Sequence, residues 1–403
     1  MKNLLSPVTR RASLILIALY VILAIVASSQ AYLLKVETRD GGNPNLTKYN
    51  NYVIFKQSHF HLLEGKNLYQ AYPEEHWDLY KYSPAFALLF GGLARLPDWL
   101  GLTLWNLLNV VVFIVAMLYL PGLDSKKRQL VLLLCAVEGM TSLQNSQSNM
   151  LVAGLLILGL ALLERGRPLT ATLCLVATFY IKIFGIVALI LLLLYPGKRK
   201  SIPYALSWLV LLGLVPAAVT GFGPLIQSYM QYLDMLKTDQ SFSVGFSVMG
   251  WLKSWFGLET PKILLALAGL VITCLPLVWF RKFTAPAARY LFFSVLLVWM
   301  VIFNHKAESP TFIIAVSGIL IWFVITERTV LNILLLSLVI VFTSLAPTDI
   351  FPLSVRAGLF EPYVVKAVPC ILVWLKMLLD LFTFTKVHEE GTNETKKFFR
   401  VTS

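Results

Sequence analysis

The chain has 403 residues, 58% of them hydrophobic and only 14% charged. A soluble domain carries roughly 25% charged residues, so a water-soluble globular protein is excluded, and repeated apolar runs of about 17–23 residues place the protein in a membrane. The net charge of +13 does not indicate a nucleic-acid partner, because the basic residues sit in short clusters between apolar runs, the arrangement that sets membrane topology.

Residues 12–34 form the first apolar run, too long for a signal-peptide core and read as a retained helix. Lys2, Arg10 and Arg11 precede it, which predicts a cytoplasmic N-terminus and puts residues 35–97 outside as a first extracytoplasmic loop. Residues 51–68 of this loop carry an imperfect helical stripe (Val53, Ile54, Phe60, Leu62, Leu63, Leu68), suited to a helix on the membrane surface. Residues 84–96 are apolar but short and are placed as a second interfacial helix. With that choice 101–120 crosses inward, and Lys126, Lys127 and Arg128 fall on the cytoplasmic side. Alternation then follows: 130–141 outward, 149–163 inward to Arg165 and Arg167. The run 170–194 is broken at Lys182 and is read as two short, partly re-entrant helices. Beyond it, 203–219 crosses outward to a second outer loop, 220–261, with Trp251, Trp255 and Phe256 as interface residues. Residues 263–280, 290–303, 310–325, 330–345 and 364–384 complete the set, and 385–403 is a cytoplasmic tail. The expectation is an all-α polytopic protein, a single integral membrane domain of about twelve spans with both termini cytoplasmic. The sequon at Asn393 would face inward and is read as chance.

Cys135, Cys174, Cys274 and Cys370 all lie in apolar runs without metal-ligand spacing, as buried small hydrophobes do. No GxxxxGK[ST] motif occurs, so nucleotide-driven transport has no motif support. The organising polar stretch is 35–82, which holds His59, His61 and His76 and the carboxylates Glu37, Asp40, Glu64, Glu74, Glu75 and Asp78. Histidines at i and i+2 diverge on a helix, so no metal and no cofactor is expected. Lys182, flanked by apolar residues, is expensive unless paired or wet, and pairing with a phosphate is the functional reading. Gln144, Asn145, Gln147 and Asn149 either cap a turn or bind sugar hydroxyls. Glu138 is either a paired structural carboxylate or a cavity group. His305, Lys306 and Glu308 share one short turn, and Asp78, Lys81 and Tyr82 precede Pro84. Lys376 and Asp380 stand at i, i+4 and are read as a pair within one helix.

The order of these pieces carries a resemblance: Gly65-Lys-Asn-Leu-Tyr69, Tyr80-Lys-Tyr-Ser-Pro84, Gln147-Ser-Asn149, Arg165-Gly-Arg167, Ile181-Lys182 and the turn from His305 to Pro310. The chain resembles the polytopic glycosyltransferases of the GT-C class, most of all glycosyltransferase family 87, the polyprenyl-phosphate-mannose-dependent mannosyltransferase type. The resemblance implies a GT-C-like fold, a polyprenyl-phosphate sugar donor, a lipid or glycan acceptor at the outer face of the plasma (inner) membrane, and no nucleotide sugar. It also implies a catalytic aspartate where Asn51 stands here. An amide cannot accept a proton from a hydroxyl, so another group must serve as base. His305, Asp78, Glu64 and Glu308 are the candidates, with His305 and Asp78 preferred. Lys182 is the expected phosphate-binding cation, with Gln147, Asn149, Glu308, Tyr82, Lys81 and Glu138 as further substrate-binding residues. The competing classes are a non-catalytic sugar-lipid binding protein and a lipid or solute transporter. A transporter would predict inverted repeats and midplane ionisable residues, and the polar groups cluster toward one face instead.

Overall fold

The computed structural model describes residues 7–34, 47–195, 197–238, 244–283 and 285–387. Residues 35–46, the sequon and residues 388–403 lie outside the described residues. Those described are almost wholly helical. The first apolar run forms α1 (Pro7–Leu33). The amphipathic stretch of the first loop forms α2 (Asn50–Leu63), and the short apolar run after it splits into α3 (Pro84–Leu89) and α4 (Gly91–Ala94). Ser83 starts α3 by accepting the Phe86 N–H, with Pro84 at the first helical position, where its missing N–H costs nothing.

The bundle continues with α5 (Asp98–Tyr119), α6 (Ser125–Gln144), α7 (Asn149–Glu164) and α8 (Pro168–Ile181). The break expected at Lys182 is present: its backbone is extended, and the chain resumes as a twelve-residue 3-10 helix, Ile183–Leu194. Next come α9 (Lys198–Leu214) and the short α10 (Ala217–Thr220). Residues 220–261 contain α11 (Phe222–Thr238) and α12 (Val248–Phe256), of which α11 has no counterpart in the sequence expectation. The rest is α13 (Lys262–Cys274), α14 (Pro286–Ile302), α15 (Phe312–Ile325), α16 (Val330–Leu338) running into a π-helix (Val339–Leu345), α17 (Leu353–Val355) with a second π-turn, and α18 (Val368–Val387).

Among the described residues three helices, Arg11–Leu33, Asp98–Tyr119 and Arg199–Thr220, are long and apolar enough to cross a membrane, and seven further apolar helices have 10–17 residues. The outward faces are themselves apolar. On α5, Leu104, Leu108, Val111 and Val115 are exposed at helical spacing, and on α9 so are Ile202, Leu206, Val210 and Leu214. Such stripes are untenable in water and natural against lipid.

The core is closed by ionic ties as well as hydrocarbon. Glu138 on α6 is fully buried and accepts from Lys366 Nζ at 2.8 Å. The Lys366 ammonium also lies 5.0 Å from the centre of the Phe312 ring. Glu164 takes a two-pronged bond from Arg289 at 2.6 and 2.7 Å and a third from Tyr195. Asp380 pairs with Lys376, as expected, and also accepts the Trp322 indole N–H at 2.9 Å. Phe55 anchors α2 to the bundle through edge contacts with Tyr82, Phe86, Phe90 and Trp105, each worth about 0.5–1.5 kcal/mol beyond area burial.

Candidate functional site

Six segments converge on one cavity of about 270 Å³: the start of α2, residues 78–82, the α6–α7 turn, the break after α8, α11 through Leu236, and the α14–α15 turn. Its lining includes Asn51, Asp78, Lys81, Tyr82, Gln147, Lys182, His305 and Glu308.

Hydrogen bonds fix each segment. The Asn50 side-chain Oδ1 accepts the Trp77 N–H at 3.2 Å, tying α2 to the stretch that carries Asp78. Tyr69 donates to the Tyr82 carbonyl at 3.0 Å and Tyr80 to the Ser83 carbonyl at 2.7 Å. Ser83 Oγ donates to the Tyr180 carbonyl at 2.6 Å. That last bond holds the tyrosine–proline element against the end of α8, so Lys182 Nζ lies 5.6 Å from the centre of the Tyr82 ring. Lys182 is half-buried, and among the described residues its ammonium has no ion-pair partner. Asp78 is held by Lys81 at 3.0 Å and accepts the Leu79 N–H at 2.7 Å.

The α6–α7 turn is under backbone strain. Ser146 has φ +52°, rare for a residue with a Cβ. Two side chains hold it there. Trp105 Nε1 donates to the Ser146 carbonyl at 2.9 Å, and Asn51 Nδ2 donates to the Asn145 carbonyl at 2.9 Å. The next residue, Gln147, donates through Nε2 to Glu308 at 2.7 Å. Asn149 is fully buried behind it and donates through Nδ2 to the Gln147 side-chain Oε1, which leaves the Gln147 NH₂ facing Glu308.

The α14–α15 turn is built on its own bonds. Asn304 accepts the Lys306 N–H at 3.0 Å, and Glu308 forms a capping box with Thr311. The segment before α12 braces it: Phe246 N–H donates to the Ala307 carbonyl at 2.9 Å. At Gly245, with φ +50°, a Cβ would lie 2.7 Å from the His305 carbonyl oxygen, so only glycine permits this approach. A second cavity of about 780 Å³ opens on the far side of Lys81, Lys306 and Glu308, lined also by Gly245, Lys253 and Glu361.

Three candidate residues stand outside the cavity lining, Glu64 pairing instead with Lys66 at 2.6 Å. Asn149 acts on it through Gln147. Glu138 lies in the core with Lys366. The histidines of the first loop diverge: His59 Nδ1 bonds the Ala87 carbonyl at 3.1 Å, while His61 Nε2 lies 3.1 Å from Glu75. Among the described residues no group of three or more His, Cys, Asp or Glu is placed to hold a metal ion. Burial pushes His59 and His76 below the ordinary histidine value.

The cavity therefore offers an unpaired ammonium, two carboxylates, an imidazole and amides suited to hydroxyls. Sequence reasoning did not single out Lys306 as a separate cavity group or Lys366 as the partner of Glu138. An ionisable residue beside an apolar run was the available signal for Lys366.

No curated protein matches the chain by sequence. Among solved structures, it is similar to ArnT from Cupriavidus metallidurans bound to undecaprenyl phosphate, with 13% identity and a TM-score of 0.46 over 95% of this chain and 79% of that one. The apo form of the same protein gives 16% identity and a TM-score of 0.48 over 92% and 76%. The sequence profile of glycosyltransferase family 87 matches residues 80–304, a span that runs from the tyrosine–proline element through Gln147 and Lys182 to the α14–α15 turn. The chain belongs to glycosyltransferase family 87.

Proposed function

We propose that this protein moves a sugar, a hexose such as mannose, from a polyprenyl-phosphate donor to a lipid or glycan acceptor at the extracytoplasmic face of the plasma membrane. The observation that carries this reading is Lys182, an ammonium without an ion-pair partner among the described residues, in a cavity with hydroxyl-binding amides. A departing polyprenyl phosphate needs a cation, and the acceptor oxygen needs a base. Lys182 supplies the first. Tyr82, Asn51 and Gln147 present a ring face and amides to a sugar, and Lys81, His305 and Asp78 complete the charged lining.

Transfer assays in proteoliposomes with radiolabelled polyprenyl-phosphate hexoses test this. Labelled product at the acceptor is the expected result. Carrier binding without transfer of any hexose would instead make the protein a sugar-lipid binder, the reading favoured by the amide at Asn51. Orientation is tested separately, with both termini taken as cytoplasmic. A cysteine replacing exposed Gln70 should react with an impermeant thiol reagent in intact cells, and one replacing exposed Arg199 should not. Labelling of the second position would invert the topology.

A further inference from the structure

We propose that Glu308 is the catalytic base of this transfer, a role that rests on the transferase reading above. Two substrates must meet across the bond being made, and two cavities meet here. Lys81, Lys306 and Glu308 line both the smaller cavity and the larger one. Among the described residues Glu308 is the carboxylate common to the two. Asp78 lines only the smaller and Glu361 only the larger. His305 also lines the smaller cavity alone. A base at the junction can touch an acceptor hydroxyl entering from the larger cavity while the donor phosphate lies at Lys182 in the smaller one.

Glu308 is also oriented. Gln147 Nε2 donates to Oε2 at 2.7 Å, and Gln147 is itself fixed by Asn149. A carboxylate has lone pairs to spare for a hydroxyl proton after accepting such a bond. Asp78 is committed to Lys81 and to the Leu79 N–H. Position 51 is unsuited to a carboxylate here. The Asn51 NH₂ donates to the Asn145 carbonyl at 2.9 Å, and an aspartate would set an anion against that oxygen. The amide instead holds the strained turn that carries Gln147, and so acts on Glu308 through Gln147.

The step balances. The acceptor O–H proton passes to the Glu308 carboxylate as the acceptor oxygen bonds the anomeric carbon of the sugar. The bond from that carbon to the phosphate oxygen breaks, and its electron pair leaves on the polyprenyl phosphate, which gains one negative charge beside Lys182.

The test compares wild type, Glu308→Gln and Glu308→Asp in proteoliposomes with a radiolabelled polyprenyl-phosphate hexose, with polyprenyl phosphate alone as the binding probe in melting assays. Glu308→Gln should lose turnover by about 100-fold or more, as removal of a general base does. It should keep the melting shift given by polyprenyl phosphate and lose the acidic limb of the kcat/KM pH profile. Glu308→Asp should keep that limb and turn over at least ten-fold faster than Glu308→Gln. An active wild type with an equally active Glu308→Gln, or a Glu308→Gln profile that retains the acidic limb, overturns the base while leaving the transferase reading intact. A wild type that binds polyprenyl phosphate and transfers nothing overturns the transferase reading, and the base with it.

Discussion

Gln147 and Glu308 are 161 positions apart in sequence and are joined by a 2.7 Å hydrogen bond from the amide nitrogen to the carboxylate. The bond links the α6–α7 turn to the α14–α15 turn at the floor of the candidate site. A hydrogen bond to a charged group is worth about 1.5–3 kcal/mol. Gln147→Met should therefore lower turnover by roughly 10–100-fold while leaving the affinity for polyprenyl phosphate near wild type. Equal losses in turnover and carrier affinity would show that Gln147 holds the donor instead.

Lys182 makes the opposite prediction. Lys182→Met removes the unpaired ammonium and should weaken polyprenyl-phosphate binding by roughly 10–100-fold, with the melting temperature of the free protein unchanged or raised. Lys182→Arg should recover part of the affinity, because a planar guanidinium replaces a point charge. Titration of the three proteins with polyprenyl phosphate decides the point, and undiminished affinity in the methionine variant removes Lys182 from the site.

These residues divide what the sequence made legible from what it did not. Asn51, Asp78, Lys81, Tyr82, Gln147, Lys182, His305 and Glu308 all line one cavity; all but Asn51, which only the family resemblance marks, stand out as polar within or beside an apolar run. Hydropathy exposes such residues because lipid tolerates them only at a price. Glu138 met the same criterion, but it lies in a core ion pair, since hydropathy registers the cost of a buried charge and not its partner. The larger cavity was illegible. Its wall joins residues 244–246 to the α14–α15 turn through backbone contacts, which leave no side-chain signature beyond Gly245. The helix after Lys182 is legible in the sequence but its 3-10 form is not, because its apolar run has no period that distinguishes it from an α-helix.

The buried pair of Glu138 and Lys366 governs stability. Removing one partner of such a pair strands a charge and costs about 3–5 kcal/mol, whereas replacing both with apolar residues of similar volume is often neutral or stabilising. Glu138→Met and Lys366→Met should each lower the melting temperature in detergent by several degrees, and the double variant should regain most of the loss. Additive losses in the double variant would mean that the two side chains do not act on each other.

His59 and His76 set a pH limit on the first loop. Burial lowers both below the ordinary value, which is about 6.5. Among the described residues His59 Nε2 and His76 Nδ1 are buried without hydrogen-bond partners, and a Cβ at Gly91 would collide with the His59 ring. The unfolded loop binds more protons than the folded one between the lowered value and about 6.5. Stability contributed by the neutral rings is thus present above that pH and is lost as pH falls below it. Amide exchange across residues 50–94, corrected for its intrinsic slowing in acid, should quicken between pH 7.5 and pH 5.5 (about one unit to either side of the free value) more than exchange in α7 or α15. His59→Phe should blunt the effect, and an identical acceleration in that variant would assign it elsewhere.

Glu138 and Lys366 also lie 228 positions apart, and a ribosome delivers them in that order. At the usual speed of synthesis the intervening chain takes roughly 10–50 s to appear. For that interval the carboxylate of α6 has no partner from its own chain, and bare hydrocarbon would reject it. The nascent half-protein must therefore wait beside water or beside a helper in the insertion machinery. Only when the segment just before α18 arrives does the pair close, so the α6 carboxylate is neutralised late in the synthesis of this bundle.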